Sequence, residues 1–484
     1  MTDKQTNRQT FLVLSNIISI PFAVIVFAII AANIASLFLL GVARGALIGG
    51  LVLIFGLSLY CIVKTKIYKN YLFWGIIFVL GVIARLLYGV LSQTPLESDM
   101  LLCYNSANSV IRGDLSWLDL PYYRVWSYQI PFVYYEAFIL WIFKTVRALY
   151  VFDALWGVLI CVLIYLIVEL LSSNKLIALI LASLYAWLPS SILKSGLLYN
   201  FSLAGVFLLL GIYCYILALK KINNKPFHIC MILNFVSGLL VAISCLFRQE
   251  GLVILLACSC FYIFYFITNH NCICGKKAVF AFRCFVSLLL VVIGYIIIVN
   301  LASWCFDAAG ITSHGLGNNC PYWKIVVGLT PDNYGQYSDR YVWICSIMNP
   351  SEQKEAFDNI MKEILSEKSP IEILGFFIKK HYYMWGAIDS GFGIPYNTVL
   401  ERAFTIVYLA LDKFIYLLFL VLSIIGLKPH NDKTYEKHYF YICFIGFFLS
   451  YLIFEAGARY RYDPMLILVL TSTFGMMRFE KAQS

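Results

Sequence analysis

Apolar residues in this chain gather into long unbroken runs, and polar residues into the intervals between them. The runs show neither the alternation of a half-buried strand nor the narrow stripe of a surface helix, so they predict helices that are apolar all round. Most approach the roughly 20 residues that cross a hydrocarbon core. They fall at 13–41, 45–63, 71–91, 150–171, 176–193, 200–219, 227–246, 251–269, 279–300, 404–427, 439–456 and 463–477, which predicts about 12 transmembrane helices. The segment 131–147 is apolar but shorter and closes on Lys144 and Arg147, so it reads as interfacial or re-entrant. The first run follows Lys4 and Arg8 and is too long for a signal-peptide core, so an uncleaved first span is expected.

No low-complexity tract or internal repeat interrupts this pattern. The expected fold is an all-α polytopic membrane protein, a single integral-membrane domain over 1–484 with spans in 1–69 and 404–484. Two long polar segments, 92–149 and 301–403, are expected as large loops carrying short interfacial helices.

Composition agrees. Of 484 residues, 61% are hydrophobic and 13% charged, with a mean hydropathy of +0.82. A water-soluble multidomain enzyme and a disordered chain are both excluded. The formal net charge of +10 does not call for nucleic acid, because the cations follow the spans. With the N-terminus inside, the inner segments hold sixteen Lys and Arg against four Asp and Glu, as the positive-inside rule requires. Both termini are thus expected on the cytoplasmic side of a plasma membrane. The long loops lie on the outer side, with three short segments near 194–200, 247–250 and 455–462.

The 15 cysteines change little, since most sit inside apolar runs as small hydrophobes. Cys272 and Cys274 form a C-x-C without the second pair of a zinc site. Cys305 and Cys320 are a possible disulfide if their compartment is oxidising.

Candidate chemistry concentrates in the outer segments. Glu97 and Asp99 follow a span and precede a predicted amphipathic helix, Tyr104 to Arg112, closed by Gly113. They read either as a solvated cap or as a general base at lipid-headgroup depth. The stretch from Tyr122 to Phe132 reads as an aromatic belt or as sugar-stacking surface around Arg124. Arg248 and Glu250 join two apolar spans, either paired with each other or with the arginine on a phosphate. Glu455, Arg459, Tyr460, Arg461 and Asp463 sit between the last two spans, where two arginines on an outer face need compensation by a bound anion or by the neighbouring carboxylates. Tyr128, Glu250, Glu455 and Lys194 complete the candidate substrate contacts.

In the second large loop, Pro321 to Lys324 leads into a turn-rich stretch, Gly328 to Asp339. Ser351 to Ser366 reads as a capped amphipathic helix. Phe376 to Trp385, with Lys379, Lys380 and His381, reads as an interfacial helix. His314 reads as structural.

In this order and on one side of the membrane, these features resemble the GT-C superfamily of integral-membrane glycosyltransferases, nearest its protein mannosyltransferase-like and aminoarabinose transferase-like members. The resemblance covers roughly 70–477. It rests on Asp99, the Tyr128–Phe132 re-entry, Arg248-Glu250-Gly251, Gly328-Leu329-Thr330 and Arg459-Tyr460-Arg461. The chain departs from the family in reading Glu-Ser-Asp where protein mannosyltransferases carry Asp-Glu, in Thr330 where many relatives carry Asn, and in two extra N-terminal spans.

The resemblance implies a GT-C-like fold and a sugar donor on a polyprenyl phosphate or diphosphate entering from the bilayer, with a glycan, lipid or protein of the cell envelope as acceptor. It implies Asp99 as the catalytic carboxylate, with Glu97 assisting or helping to hold a divalent metal ion, a cofactor left open. Arg248, Arg459, Arg461 and Tyr460 would bind the donor phosphate. The competing readings are a lipid-linked sugar flippase or other transporter, and a non-catalytic envelope scaffold. Span interiors nearly free of charge, with Arg85 the main exception, are expected to separate the enzyme from the transporter.

Overall fold

The computed structural model of the chain describes residues 3–92, 94–222, 226–269, 277–312, 315–347, 349–366, 368–387, 389, 399–427 and 435–483. Its regular structure is helical throughout these residues. The first half comprises α1 (Asp3–Leu39), α2 (Val42–Lys64), α3 (Tyr71–Leu91), α4 (Ser98–Ile111), α5 (Pro121–Val125) and α6 (Ile130–Phe143). It continues with α7 (Val146–Ser172), α8 (Lys175–Ala186), α9 (Pro189–Lys194), α10 (Phe201–Lys221) and α11 (Phe227–Phe247). The second half comprises α12 (Gly251–Asn269), α13 (Lys277–Ala308), α14 (Trp323–Leu329), α15 (Pro350–Ser366), α16 (Pro370–His381), α17 (Val399–Ile425), α18 (Glu436–Ile453) and α19 (Tyr462–Gln483).

Among the described residues, nine helices are long and apolar enough to cross a bilayer: α1, α2, α3, α7, α10, α11, α12, α13 and α17. The chain is a multi-pass membrane protein. The expected span 176–193 is broken instead into α8 and α9, because Pro189 lacks the amide that would continue the helix and opens the next one. The C-terminal segments form α18 and α19, which lie outside those nine. The 14 residues of α6 extend about 21 Å, short of the roughly 30 Å hydrocarbon core.

α10 packs along α11, α11 along α13, and α17 along α19. Small residues set the closest approach: a Cβ on Gly238 of α11 would collide with the Val291 carbonyl of α13. Membrane helices lack a hydrophobic drive to associate, so such backbone contact supplies much of the attraction. α19 is the central element, with Leu466 to Leu470 buried. α1 joins this core, stacking Phe22 on Tyr441 at 4.1 Å, whereas α2 turns Leu53 and Leu57 outward.

Charges enter the spans more often than expected. Besides Arg85, buried Asp153 and Lys413 and half-buried Asp412 lie within span helices. Several are tied to fixed partners: Arg85 donates to the Ser191 carbonyl at 2.7 Å, the Ser190 amide donates to Asp412 at 2.8 Å, and Lys413 donates to Asn33 Oδ1 at 3.0 Å and to the Gly386 carbonyl at 2.9 Å. Such hydrogen bonds offset the expense of burying a charge.

Local predictions also shift. α4 starts at Ser98, ahead of the expected Tyr104, and so takes Asp99 into its first turn. Asn349, not Ser351, caps α15, accepting from the Ser351 amide at 3.0 Å. α16 begins at Ser369 with a capping box to Glu372 and passes into a π-helical turn, Tyr382–Gly386. Cys305 and Cys320 are both free; Cys320 is buried in the apolar cluster around α14 and α15 that also receives Cys345. His314, Cys272 and Cys274 lie outside the described residues.

Candidate active site

The polar segments between helices meet at one end of the bundle, held largely by backbone hydrogen bonds. Trp126 forms a β-bridge with Asn318, and the Asn319 amide donates to the Val125 carbonyl at 2.8 Å. Ser127 Oγ donates to the Gly317 carbonyl at 3.0 Å, tying the α5–α6 turn to the stretch before α14. On the far side of α14, the Glu455 amide donates to the Lys324 carbonyl at 3.0 Å and the Ala456 amide to Gly335 at 2.8 Å.

Lys380 locks this junction. Its buried ammonium donates to the carbonyls of Gly328, Leu452 and Phe454 at 2.5, 3.0 and 2.8 Å, joining the C-terminal ends of α14 and α18. Gly335, at φ +76°, turns the chain above it; a Cβ there would lie 2.6 Å from the Gly328 carbonyl.

Asp99 lies half-buried in the first turn of α4, immediately after Ser98, which holds a left-handed φ of 51°. A non-glycine residue there costs about 1 kcal/mol or more and is kept only where the surroundings fix it. Burial pushes the Asp99 carboxyl above the ordinary aspartate range, against the pull of Arg459 and Lys324. Glu97 is exposed. Of the two carboxylates, Asp99 is therefore the more buried, and it lies within the electrostatic reach of both cations.

Opposite it stands a compact charge cluster. Glu455, 4% exposed, pairs through Oε2 with Lys324, and Oε1 accepts from Tyr460 Oη at 2.8 Å and approaches Arg459 at 3.5 Å. Lys324 and Arg459 are each about one-third exposed. Burial alone would raise the Glu455 carboxyl, but Lys324 and Arg459 hold it below the ordinary glutamate range. Both cations are in turn held more firmly charged despite burial, each by Tyr460 and Glu455. Tyr199 senses Arg459, Asp99 and Tyr460 across the same space.

Arg248 forms a second, more enclosed cluster. It pairs with Glu250 and, at 3.4 Å, with Asp463, and its guanidinium stacks 4.1 Å from the Phe201 ring centroid. Tyr128 stands between the clusters: burial pushes its hydroxyl up to about 12, with Lys324 opposing and Glu250 adding to the rise.

Arg461 and Lys194 lie elsewhere. Arg461 donates to the carbonyls of Ala458, Trp385 and Ala387 at 3.2, 3.1 and 2.7 Å, Lys194 pairs with Asp389, and both cations line one pocket that also contains Asp412. The structure thus brings together Asp99, Tyr128, Glu455, Arg459 and Tyr460, sets Arg248 and Glu250 beside them, and leaves Arg461 and Lys194 outside this cluster. Lys324, not singled out as a site residue from sequence, belongs at its centre. The signal for it was a lysine directly after Tyr322 and Trp323 in a large polar loop.

No group of three His, Cys, Asp or Glu side chains among the described residues has the spacing to hold a metal ion. The neighbours that act on the Asp99 charge are the cations Arg459 and Lys324 and the carboxylate Glu455, so this carboxylate stands among cations as well as an anion.

No family model and no curated protein matches the chain in sequence. Among solved structures, it is similar to the Archaeoglobus fulgidus oligosaccharyltransferase in its apo form, at 14% identity and a TM-score of 0.43. It is also similar to that enzyme tethered to an acceptor peptide, at 13% identity and a TM-score of 0.44. A third similar structure is archaeal AglB from the same organism with an inhibitory peptide and a dolichol-phosphate, at 13% identity and a TM-score of 0.35. These matches cover 85%, 86% and 84% of this chain, which spans only about half the length of those proteins, 51%, 50% and 56% of each.

Proposed function

We propose that the chain is a GT-C-type membrane glycosyltransferase that moves a sugar from a polyprenyl-phosphate-linked donor to a cell-envelope acceptor on the outer face of the membrane. The observation that supports this reading is half-buried Asp99 within electrostatic reach of two partly exposed cations, Lys324 and Arg459, which are themselves gathered on buried Glu455. A donor whose tail stays in the bilayer presents its phosphate at that depth.

In this mechanism Asp99 accepts the proton of the acceptor hydroxyl as that oxygen bonds the sugar's anomeric carbon. The bond from that carbon to the phosphate oxygen breaks, and its electron pair stays on the leaving phosphate. Lys324, Arg459 and the Tyr460 hydroxyl stabilise the charge that grows there. Tyr128 borders the sugar, and Arg248 with Glu250 holds the wall behind it. No step passes through a metal ion.

The test uses purified protein in nanodiscs with a panel of radiolabelled polyprenyl-phosphate sugars and membrane-extracted acceptor. Release of polyprenyl phosphate is the expected result. A transporter is the second reading, favoured by buried Asp153 and Lys413 and half-buried Asp412 within spans. It predicts label crossing sealed vesicles without release.

A further inference from the structure

Glu455 receives every donor that a lipid phosphate would need. Lys324 Nζ, Arg459 Nη2 and Tyr460 Oη converge on its two oxygens. An ammonium, a guanidinium and a phenol around one anion form a set suited to phosphate. Much of their capacity is unspent. A guanidinium carries five donor hydrogens, yet among the described residues Arg459 makes one 3.0 Å bond to Tyr460 Oη and a loose 3.5 Å contact to Glu455. Both cations remain partly open to solvent while the carboxylate between them is buried.

Charge balance sharpens the point. Lys324 and Arg459 are already neutralised by Glu455 and Asp99, so a phosphate added to this arrangement would leave the cluster net negative. With the Glu455 carboxylate turned away, the two cations face the incoming anion with Asp99 alone beside them. The amides of Glu455 and Ala456 are fastened to Lys324 and Gly335, which holds the backbone beside the carboxylate.

We infer that Glu455 is a placeholder, a carboxylate seated where the donor phosphate binds, which must be displaced on binding and returns to help expel the polyprenyl phosphate product. The inference rests on the reading of Lys324 and Arg459 as the phosphate seat. It assigns Glu455 a positioning and release role in place of direct contact with substrate.

The experiment measures binding of farnesyl phosphate to the full-length protein in nanodiscs by calorimetry, with neither sugar nor acceptor present. Glu455→Gln keeps the shape and loses the competing charge, so binding is expected to tighten by about ten-fold, a change near 1.4 kcal/mol. Inorganic phosphate, titrated in parallel, is expected to bind more weakly to both proteins with a similar ratio between them. In transfer assays the same variant should lower KM and lower kcat together, because product release slows.

Glu455→Ala supplies an independent check, since added acetate should compete with farnesyl phosphate in that variant and not in the wild type. Unchanged or weaker farnesyl phosphate binding in a folded Glu455→Gln overturns the inference. So does an absence of acetate competition in a folded Glu455→Ala. Either failure would stand apart from the enzymatic reading, which is decided by sugar transfer. Tighter binding without transfer in any variant would keep the placeholder and remove the enzyme.

Discussion

Two arginines two positions apart have different fates. Ala458–Arg461 is a 3-10 turn, in which each residue rotates by about 120°, so Arg459 and Arg461 leave it on different faces. Arg459 points toward Asp99 and Glu455, and Arg461 into backbone carbonyls. Arg459→Met is therefore expected to reduce turnover about 100-fold with little change in unfolding temperature; Lys324→Met should reduce turnover comparably and also lower the unfolding temperature, because buried Glu455 loses its closest cation. Arg461→Met should chiefly lower the unfolding temperature, because three buried acceptors lose their donor. Equal thermal effects of the two arginine variants would refute this division.

The carboxylates carry opposite pH signatures. Asp99 lies above the ordinary aspartate value of 3.8, so as a base it should lose kcat/KM as pH falls through that raised value. The Glu455 pKa is depressed in the folded state. Its contribution to stability is therefore present above the ordinary 4.5 and is lost as pH falls through the depressed value. Unfolding temperatures of wild type and Glu455→Gln, compared across acid pH, should converge as the pH drops. A gap that widens instead would mean the cations do not hold Glu455 ionised.

At the scale of elements, the junction of α14, α16 and α18 depends on one buried ammonium. Lys380→Met leaves three carbonyls without their donor and should lower stability by about 2–5 kcal/mol. Pulse proteolysis would register the loss. Sequence pattern made most helices legible because an unbroken apolar run has few alternatives in a bilayer. It missed the break at Pro189 and the early start of α4, where one backbone feature overrides a periodic signal. The site was legible in Asp99 and the Arg-Tyr-Arg turn, whose charges stand out beside apolar runs. Lys324 stayed hidden because its significance comes from Glu455, 131 positions away. Charges within spans were under-read for the same reason: Lys413 is accommodated by Asn33, 380 positions distant, and by the turn at Gly386.

For the whole molecule, the polar segments that pattern and charge assigned to one side do converge at one end of the bundle, linked by Trp126–Asn318, Glu455–Lys324 and Arg248–Asp463. The proposed function needs that end to be extracytoplasmic, as the positive-inside bias in the sequence leads one to expect. A cysteine introduced at exposed Lys354 should react with an impermeant maleimide in intact cells, whereas one at Lys66 should react only after lysis, both read against the parent protein. The reverse pattern would invert the topology and put the site on the wrong face for an outer-leaflet donor.

The most direct measurement of the central claim is polyprenyl phosphate release by purified wild type and Asp99→Asn, side by side, with the donor panel and acceptor. The account predicts turnover with at least one donor and a loss of about 100-fold or more in a folded Asp99→Asn protein. Full activity in that variant would remove Asp99 from the chemistry and contradict the mechanism.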